Sequence, residues 1–520
     1  MDYPSTHRDL SARSGGSSFN TLSTIAHDRC DGFPQLVLSG RPLYEHNIVP
    51  DPFPSTEKVP GPVLGTTVQS LSLISDSQVR QLLINTEVTC TIWAHCQDSN
   101  LSINDPAAIH VVLSNESKCI KSPWYDRSLP LVNLHTVRDK TIHDARRRVF
   151  SKAFSPSALR DYEERVAVHC EEFIRQMKRM TGRPFDASQW FKYFAFDVMG
   201  DLGLGKEFHM MTSQINRWIP DLLETSMADV GPTTPIPWLA PILHRLPRAG
   251  HGARAWLDFV GLQVQERTRK TSDRHDILSH LVEAYERTQK QDIDYQWLRG
   301  DTRLTIVGGS DTTAATLTFL FHYLAKDPVQ VEKLRSELEP LLRGKPRLDP
   351  KDVSKAQHLN GVIQEALRLH PAIPSGFPRV TPPEGITIND VFIPGGTTVV
   401  IPPYAMQHDD ANYTLAEEFI PERWYSKPEL IKNPEAFLTW NIGMNGCIGR
   451  ALAIMEMRDL ITHFIHAFGS VKFAPGEDGR ALLEETRDHF TVGVQPLRLI
   501  FEEKVSGSGA GDIGTKTASN

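Results

Sequence analysis

The sequence predicts a mainly α-helical protein with a small β region. Three observations carry this. Apolar residues recur at helical spacing through Ile448, Leu452, Met455, Leu460, Ile461, Phe464 and Phe468, and Gly469 supplies a stop. Residues 301–326 are strongly apolar (Leu304, Ile306, Val307, Leu317, Phe319, Leu320, Phe321) and read as a central, buried helix. Residues 373–403, by contrast, alternate like short strands through Ile386, Ile388, Val391, Ile393, Val399 and Ile401, with Gly395-Gly396 as a turn.

Composition sets the bounds. The chain has 520 residues, 40% hydrophobic and 23% charged, enough for a large buried core. Its 56 Lys and Arg against 63 Asp and Glu give a net charge of −7, so no global attraction to nucleic acid or to an anionic membrane is expected. Cysteines at 30, 90, 96, 119, 170 and 447 show no paired spacing, which points to a reducing compartment without a zinc site. No run approaches the roughly 18 apolar residues of a membrane span. Residues 1–58 read as an unstructured leader without a signal-peptide core or anchor, and 503–520 as a disordered tail. On this reading the chain is cytoplasmic as written.

Residues 138–165 read as helix, with His143 and Arg147 four apart on one face. A solvated basic face is the alternative to a binding one. Residues 160–300 read as amphipathic helices separated by Pro-rich breaks such as 231–237. In the helix of 301–326, Gly308 and Gly309 each weaken the middle by about 1 kcal/mol relative to Ala. Thr312 follows Gly308 by four residues, so its hydroxyl can bond the Gly308 carbonyl and bend the helix. Asp311 places a carboxyl in an apolar setting, which is costly without a role; a small-residue packing seam is the alternative. Residues 359–370 form a further helix, ended by Pro371, in which Glu365 and Arg368 share a face.

The last long helix is preceded by Trp440-Asn441-Ile442-Gly443-Met444-Asn445-Gly446-Cys447-Ile448-Gly449-Arg450. Glycines let the backbone fold closely around the sulfur of Cys447. Unpaired amide hydrogens and the helix dipole favour a thiolate there. Such a thiolate is a good axial ligand for haem iron. A lone cysteine before a helix is equally often a small buried hydrophobe, so the surroundings must decide.

Gly443, Cys447 and Gly449 stand in register with FxxGxRxCxG, the ligand loop of the cytochrome P-450 superfamily; Trp440 replaces the Phe and Asn445 the Arg. Glu365-Ala366-Leu367-Arg368 matches ExxR, and Pro421-Glu422-Arg423-Trp424 matches the PERF-like segment. Gly308-Gly309-Ser310-Asp311-Thr312-Thr313 matches the oxygen-side helix motif, and Pro60-Gly61-Pro62 the proline hinge. His143 in place of Trp, and Phe154-Ser155-Pro156-Ser157-Ala158-Leu159, look like the fungal branch. The chain therefore resembles haem-thiolate monooxygenases of filamentous-fungal secondary metabolism.

The resemblance implies one domain over 59–502, a triangular helical prism holding haem b between the long central helix and the cysteine loop. Cys447 would ligate the iron. His143, Arg147 and Arg379 would hold the propionates, with Gly443, Asn445 and Gly449 completing the cofactor loop. Asn445 would lose the charge-assisted contact that the family's Arg makes. Glu365, Arg368 and Arg423 would lock the pocket structurally, Asp311 and Thr312 would deliver protons, and residues 372–376 would line the substrate site. The implied reaction inserts one atom of O2 into a C–H or C=C bond of a small hydrophobic substrate. Its electrons would come from NADPH through NADPH-cytochrome P-450 reductase. The family is usually anchored to the endoplasmic reticulum, and no anchor is evident here.

Residues 63–99 depart from the family. If Ile92 to Ser99 are back-translated as ATA TGG GCA CAT TGT CAG GAT AGC, the next frame reads Tyr-Gly-His-Ile-Val-Arg-Ile, like the missing family segment. Part of 63–99 thus reads as translated out of frame, with ordinary divergence as the alternative. That segment, Asn445 and the missing anchor support a second reading, a damaged relic binding haem poorly. A haem-thiolate isomerase or dehydratase is a third, opposed by the Asp311-Thr312 pair.

Overall fold

The computed structural model describes residues 100–129, 131–228, 230–234, 250–269, 275–342 and 348–504. The leader, the Pro60-Gly61-Pro62 hinge, the segment 63–99 and the tail beyond Lys504 lie outside them.

The core is built around one helix, Asp292–Lys326. It starts ahead of the expected 301 because Asp294 accepts the Gln291 N–H at 3.0 Å and acidic residues occupy its first turn. From Thr313 to Ala325 every residue is buried. Its main neighbour, Ala187–Leu204, is buried on nearly all sides. It is thus an interior helix and not one of the amphipathic ones expected for this region.

The helix expected over 138–165 is two helices, Lys140–Ala153 and Pro156–Arg179. Asp139 caps the first by accepting from Ile142 N at 2.8 Å. Ser155 caps the second, and Pro156 takes its first position, where no N–H is needed.

Four short strands, Asn100–Ser102, Ile120–Lys121, Arg379–Val380 and Thr398–Val400, make one sheet. Thr398–Val400 pairs parallel with Asn100–Ser102 and antiparallel with Arg379–Val380, whose other side takes Ile120–Lys121. The latter pairing sets Lys121 directly opposite Arg379. The expected alternation also yields a hairpin, Ile386–Ile388 with Val391–Ile393, turning at Asn389 and Asp390 with φ of 46° and 65°. A further sheet of Phe185–Asp186, Ser470–Phe473 and Arg498–Glu502 closes the helical core. Among the described residues no helix is long and apolar enough to cross a membrane.

Candidate functional site

Helix Gln357–Leu369 carries Glu365 and Arg368. It presses against Pro421–Trp424, and a methyl added at Gly361 would lie 2.5 Å from the Pro421 carbonyl oxygen. Glycine there lets the two segments touch. Glu365, Arg368 and Arg423 are all fully buried. Arg368 donates to both Glu365 oxygens at 2.9 and 2.8 Å, and Arg423 Nε donates to Glu365 Oε1 at 2.8 Å. The guanidiniums also bind the carbonyls of Gln407, Ala416, Thr414 and Leu415 at 2.6–3.0 Å. Two partners were not foreseen. Trp424 Nε1 donates to Glu365 Oε2 at 2.9 Å. Gln407, which is buried, donates to Arg368 O at 2.7 Å and accepts from Leu438 N at 2.9 Å, linking this network to the approach of the cysteine loop.

The loop is pinned by Cys447 N–H donating to Trp440 O at 2.8 Å. Gly443 has φ +63°, and a methyl there would also lie 2.5 Å from Asn115 Oδ1. That same oxygen accepts from Met444 N at 2.6 Å, a second anchor without a sequence signal. Asn445 ends a short turn, Gly443–Asn445, and Gly449 is the N-cap of the helix Arg450–Ala467. Cys447 is exposed as a residue, while the surrounding protein desolvates its sulfur in part. Burial therefore pushes the thiol up, while the N–H groups of Gly449 and Arg450 and the charges of Arg147 and Arg450 pull it down. The helix-terminus effect expected from sequence is present but outweighed by burial. Coordination to a metal cation would supply the missing bias, since a coordinating thiol is deprotonated outright.

His143 is buried and Arg147 half-buried, and Arg147 donates to Gly446 O at 2.8 Å, next to the cysteine. Their face is thus not a solvated one. Burial, chiefly, holds both side chains below their ordinary pKa ranges. Arg379 is buried and donates to Tyr125 Oη at 3.0 Å.

On the central helix, Thr312 Oγ1 donates to Gly308 O at 2.8 Å, the bond expected from the spacing. Gly308 is exposed although the helix flanks are buried, and a methyl there would meet nothing within 4 Å. A methyl at Gly309 would overlap the Met199 thioether. Asp311 is pushed up by burial, against a hydrogen bond from Thr491 and the charge of Lys192. It lines a cavity of about 30 Å³ with Lys192, Glu224, His489 and Thr491, enough for a water or two. Lys192 donates to Glu224 at 2.8 Å at the exposed end. Residues 372–376 meet the strand region 487–493: Ala372 O accepts from Val492 N at 3.1 Å, and Ser375 bonds Asp488. An aromatic group that the sequence does not announce, Trp124, Tyr125, His135, Phe377 and Phe490, stands beside them with ring centroids 5.1–5.9 Å apart.

These residues fit a flat, anionic, metal-bearing cofactor. An accessible thiol, a glycine opening on the central helix and buried cations at the rim are what such a group requires.

The cytochrome P450 family profile matches residues 54–501. A P450 monooxygenase of Phaeosphaeria nodorum, sthD, is 38% identical over 408 residues, covering 78% of this chain and 85% of that protein. The P450 monooxygenase FCK2 of Fusarium pseudograminearum is 37% identical over 409 residues, 78% of this chain and 74% of its own. Tryprostatin B 6-hydroxylase of Aspergillus fumigatus is 35% identical over 412 residues, 78% and 73% respectively. The chain belongs to the cytochrome P450 family of haem monooxygenases.

Proposed function

We propose that residues 59–502 form a monooxygenase domain acting on a small hydrophobic molecule of fungal secondary metabolism, with electrons from NADPH through a separate reductase. The single observation that carries this is the accessible Cys447 thiol, held by its loop beside Arg147 at a helix start. The haem, when bound, supplies the oxygen-activating chemistry; the protein supplies the thiolate, the anion contacts and the proton path.

Cys447 would ligate the haem iron, and its loop is kept in register by the bond to Trp440 and by Gly443. His143, Arg147 and Arg379 would hold the cofactor's carboxylates, and Gly443, Asn445 and Gly449 shape the loop that carries Cys447. Glu365, Arg368 and Arg423 keep that loop's approach rigid. Thr312, tied to Gly308, leaves its oxygen poised as an acceptor at the opening. Asp311, made more basic by burial, takes protons from the small cavity whose outer end is the Lys192–Glu224 pair. Residues 372–376 and the aromatic group beside them exclude water from the substrate.

The network, the Cys447 loop and the Thr312 bond are all intact, which supports an enzyme over a relic. The test is a reduced carbon-monoxide difference spectrum, followed by turnover with NADPH, a reductase and isotopically labelled O2. The reading requires a red-shifted, thiolate-type Soret band that Cys447→Ser abolishes, and label in the product. A colourless wild-type protein would support the relic, and product without NADPH the isomerase.

A further inference from the structure

Strand register sets two cations face to face. Lys121 and Arg379 are Cα partners across an antiparallel pair, so their side chains leave the sheet on the same face. They are only 8% and 3% exposed. Like charges directly opposite destabilise a sheet, and a buried charge is costly unless it is paired. Among the described residues neither cation forms an ion pair with a carboxylate. Lys121 Nζ donates to the carbonyls of Leu134 at 3.3 Å and His135 at 2.6 Å. Arg379 donates to Tyr125 Oη at 3.0 Å and to its neighbour's carbonyl, Pro378 O, at 3.1 Å. Neutral oxygens satisfy these N–H groups but bring no balancing charge, and burial, then the charge of Arg379, pulls the Lys121 ammonium down to about 7.

The excess lies beside the cofactor residues already described. Burial first, and then the charge of Lys121 among others, disfavours protonation of both His135 and His143. The segment carrying His135 is tied to the central helix by Asp301, which is fully buried, accepts from Leu134 N at 2.9 Å and pairs with Arg146. Lys121 is therefore held in place, not adrift on the surface. On the other side, Asn445 puts an uncharged group in the ligand loop where the family's pattern has Arg.

We propose that Lys121, beside Arg379, carries the cofactor carboxylate contact that Asn445 does not make. The cationic cradle has moved from the cysteine loop to the strand Ile120–Lys121. This rests on the haem reading above. The anionic edge of the cofactor balances the cross-strand pair, and the pair in turn holds that edge. Without cofactor the repulsion is eased only by Lys121 giving up its proton; an anionic edge relieves it with both cations charged.

The experiment measures haem transfer from the purified holoprotein to an apo-globin acceptor, alongside urea unfolding of the haem-free chain. Lys121→Met should release haem about tenfold faster, and Lys121→Arg should behave like wild type. Adding Asn445→Arg to Lys121→Met should restore slow release by returning the cation to the loop. In the haem-free chain Lys121→Met should unfold at the same or a higher urea concentration, because it removes a like-charge neighbour. A role confined to tying down residues 134 and 135 predicts the reverse, a lower midpoint and no rescue. Unchanged release from Lys121→Met, or release that Asn445→Arg fails to slow, overturns the proposal while leaving the haem reading intact. A wild-type protein without a thiolate Soret band overturns both.

Discussion

Glu365 is the most heavily used carboxylate in the described structure, and Glu365→Gln tests what it does. It accepts five hydrogen bonds: two from Arg368, at 2.9 and 2.8 Å, and one each from Arg423 at 2.8 Å, Trp424 at 2.9 Å and Ile420 N at 3.0 Å. Glutamine keeps the shape but loses the charge, and its amide turns two N–H groups toward donors. Two fully buried guanidiniums are then left without an anion. Removing one partner of a buried ion pair costs about 3–5 kcal/mol, against a total stability of roughly 5–15 kcal/mol for a domain. Urea unfolding followed by tryptophan fluorescence should show a large drop in midpoint, and the carbon-monoxide spectrum a low haem content. Because none of these residues touches the reacting groups, the fraction that retains haem should turn over at the wild-type rate per haem. A normal midpoint combined with a reduced rate per haem would refute the structural role. Should the variant fail to fold, Arg423→Lys, which retains the charge but loses the fork onto Thr414 and Leu415, gives a milder form of the same test.

Gly443→Ala must take a left-handed backbone and overlap Asn115, so the urea midpoint should fall by the equivalent of at least about 1–2 kcal/mol, with faster haem loss. Glu456 is buried, its Oε2 has no hydrogen-bond partner, and burial alone pushes its carboxyl up to about 8 from 4.5. A raised pKa in the fold means stability that is complete below pH 4.5 and lost as pH rises through 8. Glu456→Gln should flatten that slope in urea midpoints taken across the window; an unaltered slope would assign it to other groups. Asp311→Asn should lower turnover by about 10²-fold with the carbon-monoxide band unchanged. Thr312→Ala should raise NADPH consumption per product formed.

Much of this was legible in the sequence because it follows from spacing. The Glu365–Arg368 step, the Thr312–Gly308 bond and the Cys447 position at a helix start are all local, and helical geometry delivers them. Arg423 meeting Glu365 was reachable only through family resemblance, since 58 residues separate them. Gln407, Trp424 and Asn115 were not legible. Each acts through a hydrogen bond to a distant backbone or side-chain atom, and although Trp424 ends the PERF-like segment, no spacing announces these bonds. The aromatic group around His135 and Phe490 was hidden likewise, assembled from three separated segments. One reading erred for a physical reason: Ser155-Pro156 starts a new helix instead of continuing the old one.

Gly308 and Gly309 are sequence neighbours with unequal latitude. At 309 even one added carbon must displace Met199 from a packed interior, so the position is held by the helix behind it. At 308 the same carbon enters open space. Gly308→Ala would therefore narrow the space beside Thr312 without displacing a neighbour. The opening on the central helix is thus adjustable at 308 and fixed at 309.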